Sequence, residues 1–247
     1  MRRLHAVTAA ALIALTCWTS EAKAERYVVG VEAIDYLPYY AGAGKSYDGM
    51  ARDLFDAYAA DRGHVIDYRP LPITRLFREL LDGLVDAKFP DNDYWQADLK
   101  AGKAVVYSDP VFAYTDGVLV LPGNKGHGAN AIRSLGTVRG FTAFEWLDRI
   151  KAGQVKLEEN PSFPGLMFQA ANKRIDGAYA NVAVANYALE HDLKTPGALV
   201  LDPDLPHTSS SYRLSSVKHP EMITDFNGWL KEKPEVLSRI KKKWGVE

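Results

Sequence analysis

Residues 65–89 read VIDYRPLPITRLFRELLDGLVDAKF, and the fold turns on how this stretch divides. VIDYRPL (65–71) is rich in β-branched and aromatic residues and runs into Pro72, so it reads as a strand. Thr74 stands where a helix cap is wanted, and Leu76, Phe77, Leu80 and Leu81 recur at the spacing of one helical face. Gly83 stops that helix, and VDAKF (85–89) reads as the next strand. A helix between two strands is a crossover, so the strands are expected to lie parallel.

Working outward, the same rhythm precedes this unit. YVVGVEA (27–33) is an apolar strand, followed by a loop rich in Tyr, Pro and Gly up to Ser46. Asp48 is placed to cap a helix with Met50, Leu54 and Tyr58 on one face, ending at Gly63. The order β-α-β-α-β predicts a doubly wound α/β sheet. After AVVYS (104–108), YTDGVLVLP (114–122) and the loop GNKGHGAN (123–130), a second such series begins. It runs through GTVRG (136–140), a helix from Thr142, QVKLEEN (154–160), a helix from Ser162 and DGAYAN (176–181). ALVLD (198–202), SSYRLSSV (210–217) and helices near Pro220–Lys231 and Pro234–Trp244 close the chain. Two lobes of ordinary domain size are expected.

The first 24 residues read as a Sec signal peptide. Arg2 and Arg3 form the basic start, Ala6 to Trp18 the apolar run, and Ala22-Lys23-Ala24 the cleavage site, so processing is expected near Ala24/Glu25. Ala14-Leu15-Thr16 is a poor lipoprotein signal ahead of Cys17. Processing removes the only cysteine and leaves 27 basic against 30 acidic side chains, a net charge of −3. That acidity, without a basic stripe, argues against nucleic acid as a partner. No later segment is apolar enough to span a bilayer, so a soluble exported monomer without stable membrane insertion is expected.

In open α/β sheets a ligand sits beyond the carboxyl ends of the strands. That rule selects the loop Asp35–Gly44, the segment Pro90–Gln96, and the residues after Val138 and Ala180. The second of these is unusual: KFPDNDYW (88–95) puts a lysine inside the strand and two aromatics directly after turn residues.

At these positions the chain resembles the periplasmic solute-binding proteins of ABC transporters, type II fold, amino-acid-binding family (extracellular solute-binding protein family 3). Tyr36-x-Pro38-Tyr39 and Gly49-Met-Ala-Arg-Asp53-Leu54 are similar to motifs of that family, as are Gly83-x-x-Asp86-Ala87, Ser108-Asp109-Pro110, Val138-Arg139-Gly140 and Arg174-x-Asp176. The resemblance covers nearly all of the processed chain. It implies two lobes, 25–112 with 203–247 and 113–202, closing on a solute about a two-segment hinge and presenting it to an ABC permease in the periplasm. It also implies a ligand site that includes Ser108, Arg139, Gly140, Phe141 and Thr142.

The departures are informative. The family's T-x-x-R arginine, which grips a ligand carboxylate, is missing, since no arginine lies between Asp86 and Ser108. Its ammonium-binding aspartate corresponds to Asn181. KFPDNDYW therefore looks like a rebuilt specificity loop, and tight binding of α-amino acids is not expected. Tyr36, Tyr39, Tyr40, Tyr94 and Trp95 either stack on a ring-bearing ligand or hold a cation, against the alternative of core packing. Lys88 either meets an anion or forms a salt bridge, and Arg75 either points into the cleft or is a solvated helix charge. Gly140, Phe141 and Thr142 precede a helix whose free amides could take an anion. Asp91, Asn92 and Asn181 could accept hydroxyl or amine donors. The expected ligand is a small polar organic solute, anionic or ring-bearing.

Other chemistry is disfavoured. Gly42-x-Gly44 lacks the third glycine of a dinucleotide loop, where Tyr47 stands. A calcium loop from Asp91 would need Gly and Glu where Gln96 and Gly102 lie. The histidines are scattered, so neither metal nor cofactor is expected. The alternatives are an enzyme on the same fold, such as a prephenate- or arogenate-type (cyclohexadienyl) dehydratase using Asp35, Asp91 or Asp93, or a partner of a periplasmic sensor or redox system.

Overall fold

The computed structural model describes residues 24–246; the expected signal peptide, Cys17 included, lies outside the described residues apart from Ala24. The chain begins with β1 (Arg26–Glu32), β2 (Asp35–Tyr36), β3 (Tyr40–Ala41), α1 (Met50–Arg62), β4 (Val65–Leu71), α2 (Ile73–Leu81), β5 (Ala87–Asp91), α3 (Ala97–Lys100) and β6 (Val106–Tyr107). It continues with β7 (Phe112–Val120), β8 (Ser134–Val138), α4 (Leu147–Lys151), β9 (Lys156–Asn160), α5 (Phe163–Ala171), β10 (Gly177–Asn181) and α6 (Val182–Tyr187). β11 (Val200–Leu201), β12 (Thr208–Ser216), α7 (Pro220–Glu232) and α8 (Pro234–Lys243) complete it.

The strands lie in the order β4-β1-β5-β12-β7-β10-β8-β9. β1 is parallel to both β4 and β5, as the helical crossovers require, and β8 is parallel to both β9 and β10. Each parallel trio receives one antiparallel strand, β12 beside β5 and β7 beside β10. The halves meet where β12 and β7 pair antiparallel, from Thr208 opposite Asp116 to Tyr212 opposite Phe112. Two crossover strands thus join two units of one topology.

Glycine marks the same place in each unit. A Cβ on Gly30 in β1 would overlap Leu76 of α2, and one on Gly136 in β8 would lie 2.5 Å from Leu166 of α5. Each glycine lets a helix leucine settle onto its sheet. Gly49, at φ 104, serves a different purpose, since its missing Cβ lets the start of α1 pass against the Tyr40 backbone.

Several local expectations shift. Gly49 rather than Asp48 occupies the α1 cap position, and α2 starts at Ile73 without a cap from Thr74. The helix expected from Thr142 is a 3₁₀ turn (Phe144–Trp146) leading into the five-residue α4. α6 is an addition to the expected elements; the Asn181 side chain caps it by accepting from the Ala183 and Val184 amides.

Candidate functional site

Between the two units lies a cleft of about 740 Å³, walled by the segments that follow β1, β5, β8 and β10. This is where the carboxyl-end rule puts a ligand. Its surface is dominated by rings. Tyr36 from the first unit stacks on Phe141 of the second (centroids 5.6 Å apart, planes at 10°) and meets Phe163 edge-on at 5.2 Å. On the crossover strands Tyr114 and Tyr212 stack at 4.4 Å, and Trp95 packs 6.3 and 6.0 Å from them. The Tyr94 and Tyr114 hydroxyls are 2.7 Å apart, which ties the loop after β5 to β7.

The polar lining carries one sign. Glu32, Asp98, Asp116 and Glu145 face the cleft, and no Lys, Arg or His among the described residues lines it. Tyr40 donates to Glu32 at 2.5 Å; burial raises the Glu32 carboxyl above its usual range, against the pull of Lys88 behind it. Glu145 accepts from the Tyr179 hydroxyl at 2.6 Å. Asp116 lies opposite Asn181 in the β7–β10 register. Its Oδ1 is shielded from solvent and has no hydrogen-bond partner among the described residues. Burial pushes this carboxyl up to about 7, with the Asn181 amide opposing and Glu145 adding to the rise.

The expected site residues divide into two groups. Tyr36, Tyr40, Tyr94, Trp95, Gly140, Phe141, Thr142 and Asn181 line the cleft. The Asn181 oxygen is already engaged in capping α6, while its amide donates to the Tyr212 hydroxyl at 3.3 Å. The residues after Gly140 lead into a 3₁₀ turn and the five-residue α4 rather than into a long helix. Tyr39 is not in the cleft; it is buried at the hinge and donates to the Ala113 carbonyl at 2.9 Å. Arg75 points outward, 68% exposed, and pairs with Glu79 at 2.7 Å. Arg139 is exposed and outside the lining. Ser108 is buried between β6 and β7, accepting from the Leu214 amide of β12 at 2.9 Å.

KFPDNDYW also divides. Lys88, Asp91 and Asn92 are buried behind the wall, not in it. Asp91 accepts from Lys100 at 2.8 Å and Ser215 at 2.6 Å, with Lys88 at 3.8 Å. Lys88 also donates to the Pro90 carbonyl and lies over the Phe77 ring at 4.1 Å. Asn92 donates to Ser210 Oγ and to the Ser211 carbonyl, both at 3.1 Å. This ionic knot anchors the loop to β12, and only Tyr94 and Trp95 emerge into the cleft. The expected preference for an anion therefore lacks a basic partner at the site: Lys88 is enclosed and Arg75 is turned away. Asp35, Asp91 and Asp93, the carboxylates considered for catalysis, are also outside the lining. Asp116 escapes a motif-based reading; the available signal is a lone acid within the apolar run YTDGVLV. Among the described residues no group of His, Cys, Asp and Glu could hold a metal ion.

Solved structures share this fold. The ligand-binding core of GluR0 in complex with L-glutamate superposes with a TM-score of 0.70 at 14% identity, covering 89% of this chain and 97% of that one. This is the type II periplasmic binding-protein fold. ArtJ, the arginine-, lysine- and histidine-binding protein of Geobacillus stearothermophilus, shares the binding-protein fold at a TM-score of 0.66 and 20% identity, over 89% of this chain and 94% of that one. So does an ancestral amino acid-binding protein described as a precursor of cyclohexadienyl dehydratase, at a TM-score of 0.64 and 20% identity, over 89% and 95%. No family description and no curated protein matches the sequence. At such identities the likeness establishes the binding-protein fold, and the cleft has to be read from its own residues.

Proposed function

We propose that the protein captures a small ring-bearing or apolar-bodied organic solute in the cleft without transforming it. The Tyr36–Phe141 stack carries this reading, because it joins the two units ring to ring across the cleft. A ligand that seats between such faces stabilises the closed arrangement by its differential contacts. The moving bodies are then residues 25–112 with 203–247 and residues 113–202, pivoting on the β7–β12 pair. Export to the periplasm, delivery to an ABC importer and a monomeric state belong to this proposal. The signal-like N-terminus and neighbours described as periplasmic or transport-system proteins support the first two. Among the described residues no helix is long and apolar enough to cross a membrane.

The test is native mass spectrometry of freshly purified protein, followed by X-ray scattering with and without the released compound. Compaction on binding supports capture; an unchanged radius with every retained compound overturns it. A second reading, an acid–base enzyme of the dehydratase kind, is favoured by the placement of Asp116 in the cleft wall, where burial pushes its carboxyl up to about 7, the range of a general acid or base near neutral pH. Turnover of the retained compound, abolished by Asp116→Asn, would establish that reading instead.

A further inference from the structure

We infer that the cleft selects an organic ammonium that carries no carboxylate, with Asp116 as its counter-ion. The inference rests on the capture reading and gives it a ligand class.

Charge balance carries the first step. Two acids close to the cleft already have partners: Asp91 pairs with Lys100 at 2.8 Å, and Glu32 accepts from the Tyr40 hydroxyl at 2.5 Å. Asp98, Asp116 and Glu145 form no ion pair among the described residues, and the lining supplies no base for any of them. A ligand entering this space meets uncompensated negative charge at one end.

Hydrogen bonding carries the second step. A buried acceptor without a donor is costly, and natural structures seldom leave one open without a use. Asp116 Oδ1 is such an acceptor, and Asp116 lines a cavity large enough for a small organic molecule. An ammonium N–H supplies the missing donor and the missing charge together, and charge-assisted bonds of this kind are the strong ones.

The rings carry the third step. Tyr36, Phe141, Trp95, Tyr114 and Tyr212 surround the same space, and their faces attract cations while their area covers an apolar body. A zwitterionic amino acid gains the same ammonium contact but brings a carboxylate. That group would lie among acids, since Lys88 is sealed behind the wall and Arg75 is held outside by Glu79. An amine lacking the carboxylate avoids the penalty.

The inference is tested by calorimetry with isosteric probes on the full processed protein. One set shares a phenethyl body: phenethylammonium, 3-phenylpropanoate, 2-phenylethanol and phenylalanine. A second set shares a butyl body: butylammonium, pentanoate, butanol and norvaline. The ammonium should bind at least tenfold more tightly than its anionic, neutral and zwitterionic counterparts in one set or both. Asp116→Asn should weaken it about 30-fold or more, with alcohol binding affected far less. Glu145→Gln should weaken it less, because Glu145 already accepts from the Tyr179 hydroxyl. Equal or better binding of the alcohol, acid or amino acid in both sets overturns the inference, as does failure of all eight to bind. If native mass spectrometry returns a neutral or anionic compound that compacts the protein, the ligand class is wrong while capture stands. If no compound compacts it, capture itself fails.

Discussion

Between pH 5 and pH 8 the ligand-free protein should lose stability that the Asp116→Asn variant keeps. Burial moves the Asp116 carboxyl from the usual 3.8 to about 7, roughly three units. At about 1.4 kcal/mol per unit, the folded state holds this proton more firmly than the unfolded state by ~4 kcal/mol. Below about pH 4 both states are protonated and the stability is whole. As pH rises from about 4 to 7 the unfolded chain ionises freely while the folded site resists, so stability falls; above about 7 the loss is complete. The window from pH 5 to 8 spans two of the three units, or ~3 kcal/mol, which corresponds to ~6–12 °C in Tm for a chain of this size. The groups facing Asp116 are Glu145 beyond β8, Tyr36 and Tyr39 beyond β1, Tyr114 on its own strand, Tyr179 and Asn181 on β10, and Tyr212 on β12. Burial raises all five tyrosines, so none ionises in this window. Scanning fluorimetry of both proteins across buffers isolates the effect, because histidines elsewhere cancel in the difference. A bound ammonium should also flatten the wild-type slope, since it stabilises the ionised form. Identical slopes for wild type and Asp116→Asn would refute the reasoning.

Four further outcomes are expected. Trp95→Ala should weaken ligand binding by about 1–3 kcal/mol, the scale of an aromatic stacking loss, with little change in the Tm of the free protein; a large drop in that Tm would make the ring structural. Lys100→Met should destabilise the protein by about 3–5 kcal/mol in chemical denaturation, because it leaves Asp91 buried without its 2.8 Å partner. Gly136→Ala should cost about 1–3 kcal/mol by forcing Leu166 and Ile175 apart from β8, and an unchanged midpoint would show that the helix can yield. N-terminal sequencing of exported protein should start at or near Glu25, whereas a lipid-modified Cys17 as first residue would contradict the signal-peptide reading.

The fold is legible in the sequence because the two series of apolar strands and amphipathic helices repeat one order, and parallel crossovers admit few topologies. Boundaries move where short-range signals compete. Pro90 and Asp91 read as a turn, but β5 continues through them because Ser215 and Lys100 satisfy Asp91 from outside the strand. Asn181 reads as a ligand group by its position in the chain; its side chain serves α6, a local role that an Asn before an apolar run also announces. Of the charged candidates, Lys88, Asp91 and Arg75 find protein partners, which a linear sequence does not reveal. Asp116 does not emerge from motifs, since only the antiparallel pairing of β7 with β10 brings it opposite Asn181.

The placement of Trp95 gives the molecule a built-in optical reporter. Of the five tryptophans, Trp18 belongs to the expected leader, Trp146 and Trp229 are sealed in separate parts of the core, and the Trp244 indole is tied to Asp53 at 2.7 Å. Among the described residues only Trp95 borders the cleft, and it does so with the Lys88 ammonium 5.7 Å from its ring. Emission that shifts when a solute enters therefore originates from one indole in a known electric environment. A Trp95→Phe protein supplies the dark reference, so ligand screening needs neither a label nor an engineered probe.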